Sequence, residues 1–241
     1  MTTLRQAGPP FAYPLVRSGR RRVLDVGSAG GAHSFSLADG AALVVALDLS
    51  RAELQRLADK TPSGGERVVV LQADATDLPF PDGSFDEAAL YEVLEHVKSP
   101  ARVLAECCRV LRPGGIFTMS VPTAYTERVY WRLHPSYEQQ STHLRIFELE
   151  EVVTLLSEAG FEVRRQETAH FAPMLAWFVH CLLRTPADHT GAVLRNRFVD
   201  VAVAKAVGIA RRLPLVGAVV RFLSCRFGKS WWFACAKLPA L

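Results

Sequence analysis

Two aspartates and a glycine-rich stretch are the residues whose types and spacing could do chemistry. LDVGSAGGAHS runs from Leu24 to Ser34, Asp48 follows about twenty residues on, and Asp74 comes later. Glycine lacks the Cβ that would hold a ligand off the backbone, and a helix starting after such a turn aims free N–H groups at whatever sits there. A carboxylate placed like Asp48 can accept hydrogen bonds from both hydroxyls of a ribose. Each feature also has a plain reading, the turn as strand-to-helix packing and each aspartate as a helix cap or turn former. The plain reading suits either aspartate alone better than both together.

These residues need a scaffold, and the sequence spells one by alternation. VLDVG (23–27), LVVALDL (43–49), RVVVLQA (67–73) and FDEAALY (85–91) read as strands. The segment 33–38 reads as a helix start, and Ser50 with Glu53 as a capping box opening the next helix. Residues 101–111 carry apolar side chains at helical spacing, and Arg112-Pro113-Gly114-Gly115 is expected to stop that helix before the strand IFTMSV. An amphipathic helix over 148–159, closed by Gly160, precedes the strand FEVRRQE, and SWWFACAKL (230–238) reads as a last strand. Strands alternating with helices predict an α/β fold: a doubly wound, seven-stranded, Rossmann-like sheet with a helical insertion before the last strand. Its carboxyl edge is where Asp48 and Asp74 would meet a ligand. The expected division is a core over 1–169, an insertion over 170–229 and a closing strand over 230–241.

In order along the chain, the motifs resemble those of the class I S-adenosylmethionine-dependent methyltransferases, in the branch with ubiquinone-type and small-molecule enzymes. VLDVGSAGG looks like that family's first motif, with Asp25, Gly27 and Gly31 in place. ALDLS looks like its acidic ribose motif, and QADATDLPFPDGSFD like its adenine-side segment. YEVLEHV, RVLRPGG and THLRIFELEEVVTLLSEAGFEV complete the series, over about residues 20–169. The resemblance implies S-adenosyl-L-methionine as cofactor, with the turn of Gly27, Ser28, Ala29 and Gly31 around its methionine end, Asp48 at the ribose, and Asp25 and Leu49 among the cofactor-binding residues. It implies Asp74 and Ala75 at the adenine, and Tyr91 and Glu92 lining the methionine side. Ala29 departs from the pattern by standing at the middle glycine of the turn, where its methyl restricts positive φ.

A sulfonium methyl is already activated, so holding an acceptor in line with it supplies most of the acceleration, roughly 7 to 11 kcal/mol. A base is needed only where the acceptor must lose a proton, and adds about 10² to 10⁴. His143, in THLRIF, is the first candidate, and His96, in YEVLEHV, the second. His143 could instead pin its loop to the following helix with Arg145, and His96 could serve the cofactor pocket or the structure. The aromatic-rich segment 124–142 holds Tyr125, Tyr130, Trp131, His134 and Tyr137, and reads as a long loop acting as a lid or as a small satellite core.

The chain has 241 residues, 49% of them hydrophobic, which excludes a disordered, collagenous or coiled-coil protein. Its five cysteines, Cys107, Cys108, Cys181, Cys225 and Cys235, show no ligand spacing, so no metal site and no disulfide framework is expected. With no apolar run of signal-peptide length near the start, a cytoplasmic protein is the expectation. Residues 1–170 carry 18 Lys and Arg against 22 Asp and Glu, whereas residues 171–241 carry 10 against 2. Such segregation suits an anionic partner, or merely solubility.

The insertion reads as a helical cap over an acceptor pocket with Met174, Trp177 and Phe178, as a peripheral contact with anionic membrane, or as a homodimer surface. No nucleic acid partner is expected, because the arginines are diluted through apolar helices. The functional expectation is methylation of a small hydrophobic acceptor, on oxygen before carbon. The alternative is a noncatalytic, cofactor-retaining scaffold or regulatory partner of another enzyme.

Overall fold

The computed structural model describes residues 21–61, 67–133, 143–171, 174–176, 179, 197–210, 212–226 and 228–239. Short β-branched runs form the strands β1 (Arg22–Val26), β2 (Leu43–Asp48), β3 (Val68–Gln72) and β4 (Phe85–Tyr91). Between them lie α1 (Ser34–Leu37) and α2 (Arg51–Lys60), and a 3-10 turn (Leu94–His96) follows β4. Then come α3 (Pro100–Val110), β5 (Leu111–Pro122), α4 (Ala124–Leu133), α5 (Leu149–Glu158) and β6 (Phe161–Ala169). The helices α6 (Arg197–Ala210) and α7 (Pro214–Arg226) precede β7 (Ser230–Lys237).

The seven strands form one sheet in the order β3-β2-β1-β4-β5-β7-β6. The pairs β1–β2, β2–β3, β1–β4 and β4–β5 are parallel. The chain winds outward from β1 to β3, then returns to lay β4 on the other side of β1. Beyond the carboxyl ends of β1 and β4 this reversal opens the crevice where sheets of this kind bind ligands. Strands buried on both faces need near-continuous apolar runs, and β1, β2 and β4 supply them with Leu24, Val44, Leu47, Ala88 and Leu90 buried.

The chain divides into two compact units, one comprising Met1–Ser120, Glu150–Gln166 and Trp232–Leu241, the other Val121–Leu149 and Glu167–Trp231. In the first, Arg109 ties the segment before β4 to α3. It donates to the carbonyls of Leu78 and Phe80 at 2.9 and 2.7 Å, to Asp82 at 2.9 Å and to Glu106 at 2.7 Å. Glu106 in turn accepts the Leu78 N–H at 2.9 Å. This network gives RVLRPGG and DLPFPD, far apart in sequence, a common physical purpose.

Three local expectations need correction. The segment 124–142 does not begin as a loop: its first ten residues are α4, while His134 and Tyr137 lie outside the described residues. The capping box is half formed, since Ser50 Oγ accepts the Glu53 N–H at 3.4 Å but the Ser50 N–H goes to Asp48 Oδ1 at 2.8 Å. The side chain of Glu53 pairs instead with Arg56. Finally, Arg112-Pro113-Gly114-Gly115 lies within β5, which pairs Phe85 with Leu111 and then Glu87 with Ile116 across a register shift. Gly115 is required there because a Cβ would stand 2.8 Å from the Arg112 carbonyl oxygen.

Candidate functional site

The turn after β1 is built around backbone conformations that side chains disfavour. Gly27 and Gly31 have φ of +70° and +80°, and Ala29, despite its methyl, takes φ of +44°. The N–H groups of Gly27 and Ser28 donate to the Leu47 carbonyl at 2.8 and 2.9 Å. The Ala29 N–H donates to Asp48 Oδ2 at 2.9 Å. Asp48 thus holds the turn with one carboxylate oxygen and the start of α2 with the other. Each oxygen of a carboxylate can accept a second hydrogen bond, so Asp48 keeps capacity for a vicinal diol.

Asp25, on β1, is buried and accepts the Ser34 hydroxyl at 2.6 Å. Burial pushes its carboxyl up to about 6; the Ser34 hydrogen bond opposes this, and the charge of Asp48 adds to it. A carboxylate held this way invites a cation. The Ser28 hydroxyl is buried in the turn without a hydrogen-bond partner among the described residues. Leu49, next to Asp48, is 67% exposed.

Asp74 is exposed, and its Oδ1 accepts both the backbone N–H and the hydroxyl of Thr76, each at 2.8 Å. Those hydrogen bonds hold its carboxyl below the usual range. Ala75 beside it is half-buried. Asp74 is therefore a turn former, and its Oδ2 is outside that turn.

At the end of β4, Glu92 adopts φ of +55°, donates its N–H to the Ser120 carbonyl at 3.0 Å and accepts the Ser120 hydroxyl at 2.9 Å. Two non-glycine residues in left-handed conformation, Ala29 and Glu92, thus flank the crevice between β1 and β4. Such strain persists only where its surroundings enforce it, and it clusters at functional sites. Tyr91 is turned inward: its hydroxyl lies 2.8 Å from Thr118 Oγ1, and its ring packs 4.7 Å from His33 and 4.9 Å from Trp232. Burial raises the Tyr91 phenol well above its ordinary value. His96 is exposed on the 3-10 turn.

These residues suit an adenosyl cofactor with an amino-acid tail. Asp48 offers acceptors for ribose hydroxyls, Leu49 an uncovered apolar surface for a base, and Asp25 a buried carboxylate for an ammonium group. The Ser28 hydroxyl lacks only a partner.

His143 lies in the second unit. Its Nδ1 lies 2.8 Å from Oε2 of Glu127, in the first turn of α4. Glu127 is buried, and its Oε1 has no hydrogen-bond partner among the described residues. A neutral imidazole with its proton on Nδ1 would donate it to the Glu127 oxygen and leave Nε2 as the ring's accepting nitrogen. The sequence reading missed Glu127; its spacing with Thr123, Thr126 and Tyr130, all buried, was the available signal. On the outer side of α4 an open cleft of about 400 Å³ is lined by Tyr125, Arg128, Val129, Arg132 and Trp231.

A doubly wound sheet with a strained turn and strand-end carboxylates at its switch point defines a nucleotide-cofactor-binding α/β domain. Comparison with known proteins makes the class specific. The methyltransferase domain family matches residues 24–119. A Mycolicibacterium smegmatis protein, named a probable S-adenosylmethionine-dependent methyltransferase, is 33% identical over 203 residues, covering 84% of this chain and 73% of its own. A ubiquinone biosynthesis O-methyltransferase of Paracidovorax citrulli is 40% identical over 100 residues, covering 39% of this chain and 41% of its own. The solved structure of the cyclase SpnF superposes with a TM-score of 0.62 at 25% identity, covering 93% of this chain and 78% of its own. The chain belongs to the S-adenosylmethionine-dependent methyltransferases, and its cofactor is S-adenosyl-L-methionine.

Proposed function

We propose that this enzyme methylates a small hydrophobic acceptor, on oxygen before carbon, and that His143 takes the acceptor's proton. The observation that carries the proton step is the 2.8 Å pairing of His143 Nδ1 with buried Glu127. The cofactor supplies a methyl group activated by its sulfonium. Asp48 and Asp74 hold its nucleoside end, Asp25 with Gly27, Ser28, Ala29 and Gly31 its amino-acid end, and Glu92 lies on the methionine side. Glu127 fixes the imidazole tautomer, so that Nε2 of His143 accepts the proton from an acceptor hydroxyl. His96 is the second candidate for that role.

The ubiquinone named for the Paracidovorax relative supports a planar or hydrophobic acceptor. The basic excess of residues 171–241 supports a peripheral contact with anionic membrane, where such acceptors dissolve. Ala29 departs from the family's turn, but the turn keeps the glycine-type backbone, which supports a catalytic enzyme over a noncatalytic scaffold. The test is transfer of labelled methyl from S-adenosylmethionine to a panel of quinols, phenols and lipid-like alcohols. A product is expected from the wild-type chain and not from His143→Ala, with cofactor binding intact in both. Transfer at the wild-type rate by His143→Ala overturns the assignment of the base.

A further inference from the structure

The helices α6 and α7 pack against each other as a hairpin. The connection between them is tight: the Arg212 N–H donates to the Ile209 carbonyl at 3.0 Å and the Leu213 N–H to the Ala210 carbonyl at 3.2 Å. On the other side α7 is anchored, since the Thr168 hydroxyl on β6 donates to the Ser224 carbonyl at 2.8 Å. The hairpin's outer surface is unlike an ordinary solvated face. Ile209, Leu213, Val216, Val219 and Phe222 are each between 46% and 66% exposed. From Val216 to Phe222 the spacing is three residues, so Val216, Val219 and Phe222 step by about 60° each and share one side of α7. Lys205 and Arg212 are exposed on the same hairpin.

What could cover that row is narrowed by charge. The hairpin, residues 197–226, contains Arg197, Lys205, Arg211, Arg212, Arg221 and Arg226 against a single acidic residue, Asp200. A second copy meeting this face about a two-fold axis would set like charges against each other. Nucleic acid would satisfy the charge but not reward burial of Phe222 and Val219. An anionic bilayer satisfies both demands, taking apolar side chains below the headgroups while lysine and arginine stay among them. No helix among the described residues is long and apolar enough to cross a membrane, so the contact is with one leaflet.

We infer that the α6–α7 hairpin is the element that docks this enzyme on an anionic lipid surface, with Phe222, Val219 and Val216 of α7 entering the leaflet and Lys205 and Arg212 contacting headgroups. This rests on the membrane contact proposed above and specifies which part of the chain makes it.

The experiment is flotation of the full chain with vesicles of phosphatidylcholine alone or with about one third phosphatidylglycerol. The wild-type chain is expected to float with the anionic vesicles and far less with the neutral ones. Val219→Ser/Phe222→Ser and, separately, Lys205→Glu/Arg212→Glu should each bind the anionic vesicles at least about tenfold more weakly. Both variants should bind S-adenosylmethionine as the wild type does in calorimetry, which shows them folded. If the wild type stays at the bottom with anionic vesicles, the membrane contact itself falls. If it floats and both variants float equally, the contact stands and the hairpin assignment falls. A wild-type dimer in sedimentation that Val219→Ser/Phe222→Ser converts to monomer, without flotation, overturns the inference in favour of a second copy.

Discussion

Asp48 Oδ2 accepts the N–H of Ala29 at 2.9 Å, across 19 positions of sequence, so the residue expected to hold a ribose also holds the turn beneath it. That hydrogen bond keeps Ala29 at φ of +44°, where an alanine costs about 1 kcal/mol more than glycine. Ala29→Gly is therefore expected to raise stability by up to about 1 kcal/mol in urea denaturation, with cofactor affinity kept or improved. A less stable Ala29→Gly protein would mean that the methyl group packs usefully and that the strain is not the governing effect.

Asp25 gives the fold a pH dependence with a definite sign. Its folded-state value, about 6, lies above the ordinary carboxylate value, so the native protein holds that proton more tightly than the unfolded chain. Its contribution to stability is fully present below about pH 4 and is lost as pH rises through about 6, a change of order 3 kcal/mol. Asn can still accept the Ser34 hydroxyl but carries no charge. Asp25→Asn should match the wild type at about pH 4 and exceed it in stability at about pH 8. Binding of S-adenosylmethionine should weaken in the same variant. Equal pH profiles for the two proteins would show that burial of this carboxylate is not what destabilises the fold at neutral pH.

Glu127 and His143 yield a spectroscopic prediction. In the wild type the imidazole nitrogen shifts should report a proton on Nδ1 when the ring is neutral, because the carboxylate beside it can only accept. Glu127→Ala removes that acceptor, and the ring should change toward the tautomer protonated on Nε2, with methyl transfer to a hydroxyl acceptor falling about 10²-fold or more. Unaltered nitrogen shifts with unaltered transfer would reduce Glu127 to a packing residue.

Most of the sheet was legible because its strands announced themselves by period and punctuation: FDEAALY is β4 residue for residue, and Ser50 caps α2 as its type suggests. The turn was legible for the same reason, since glycine spacing reports backbone conformation directly. α4 was not, because its buried face carries Thr126, Glu127 and Tyr130, polar groups at helical spacing that no apolar pattern reveals. The hydrogen bond from the Ser50 N–H to Asp48 was equally hidden: a capping-box motif names the donors and acceptors within reach, and a nearer carboxylate took one of them. Arg109 was legible only as part of a motif, since its partners at Leu78, Phe80 and Asp82 come from a segment some thirty residues away in sequence.

The crevice at the ends of β1 and β4 as the seat of S-adenosylmethionine is tested most directly by calorimetry of the wild-type chain and Asp48→Ala with S-adenosylmethionine and S-adenosylhomocysteine. The wild type should bind both at one site, and Asp48→Ala should bind each at least about tenfold more weakly while remaining folded. Equal affinity in the folded variant would contradict the account, and so would absence of binding by the wild type.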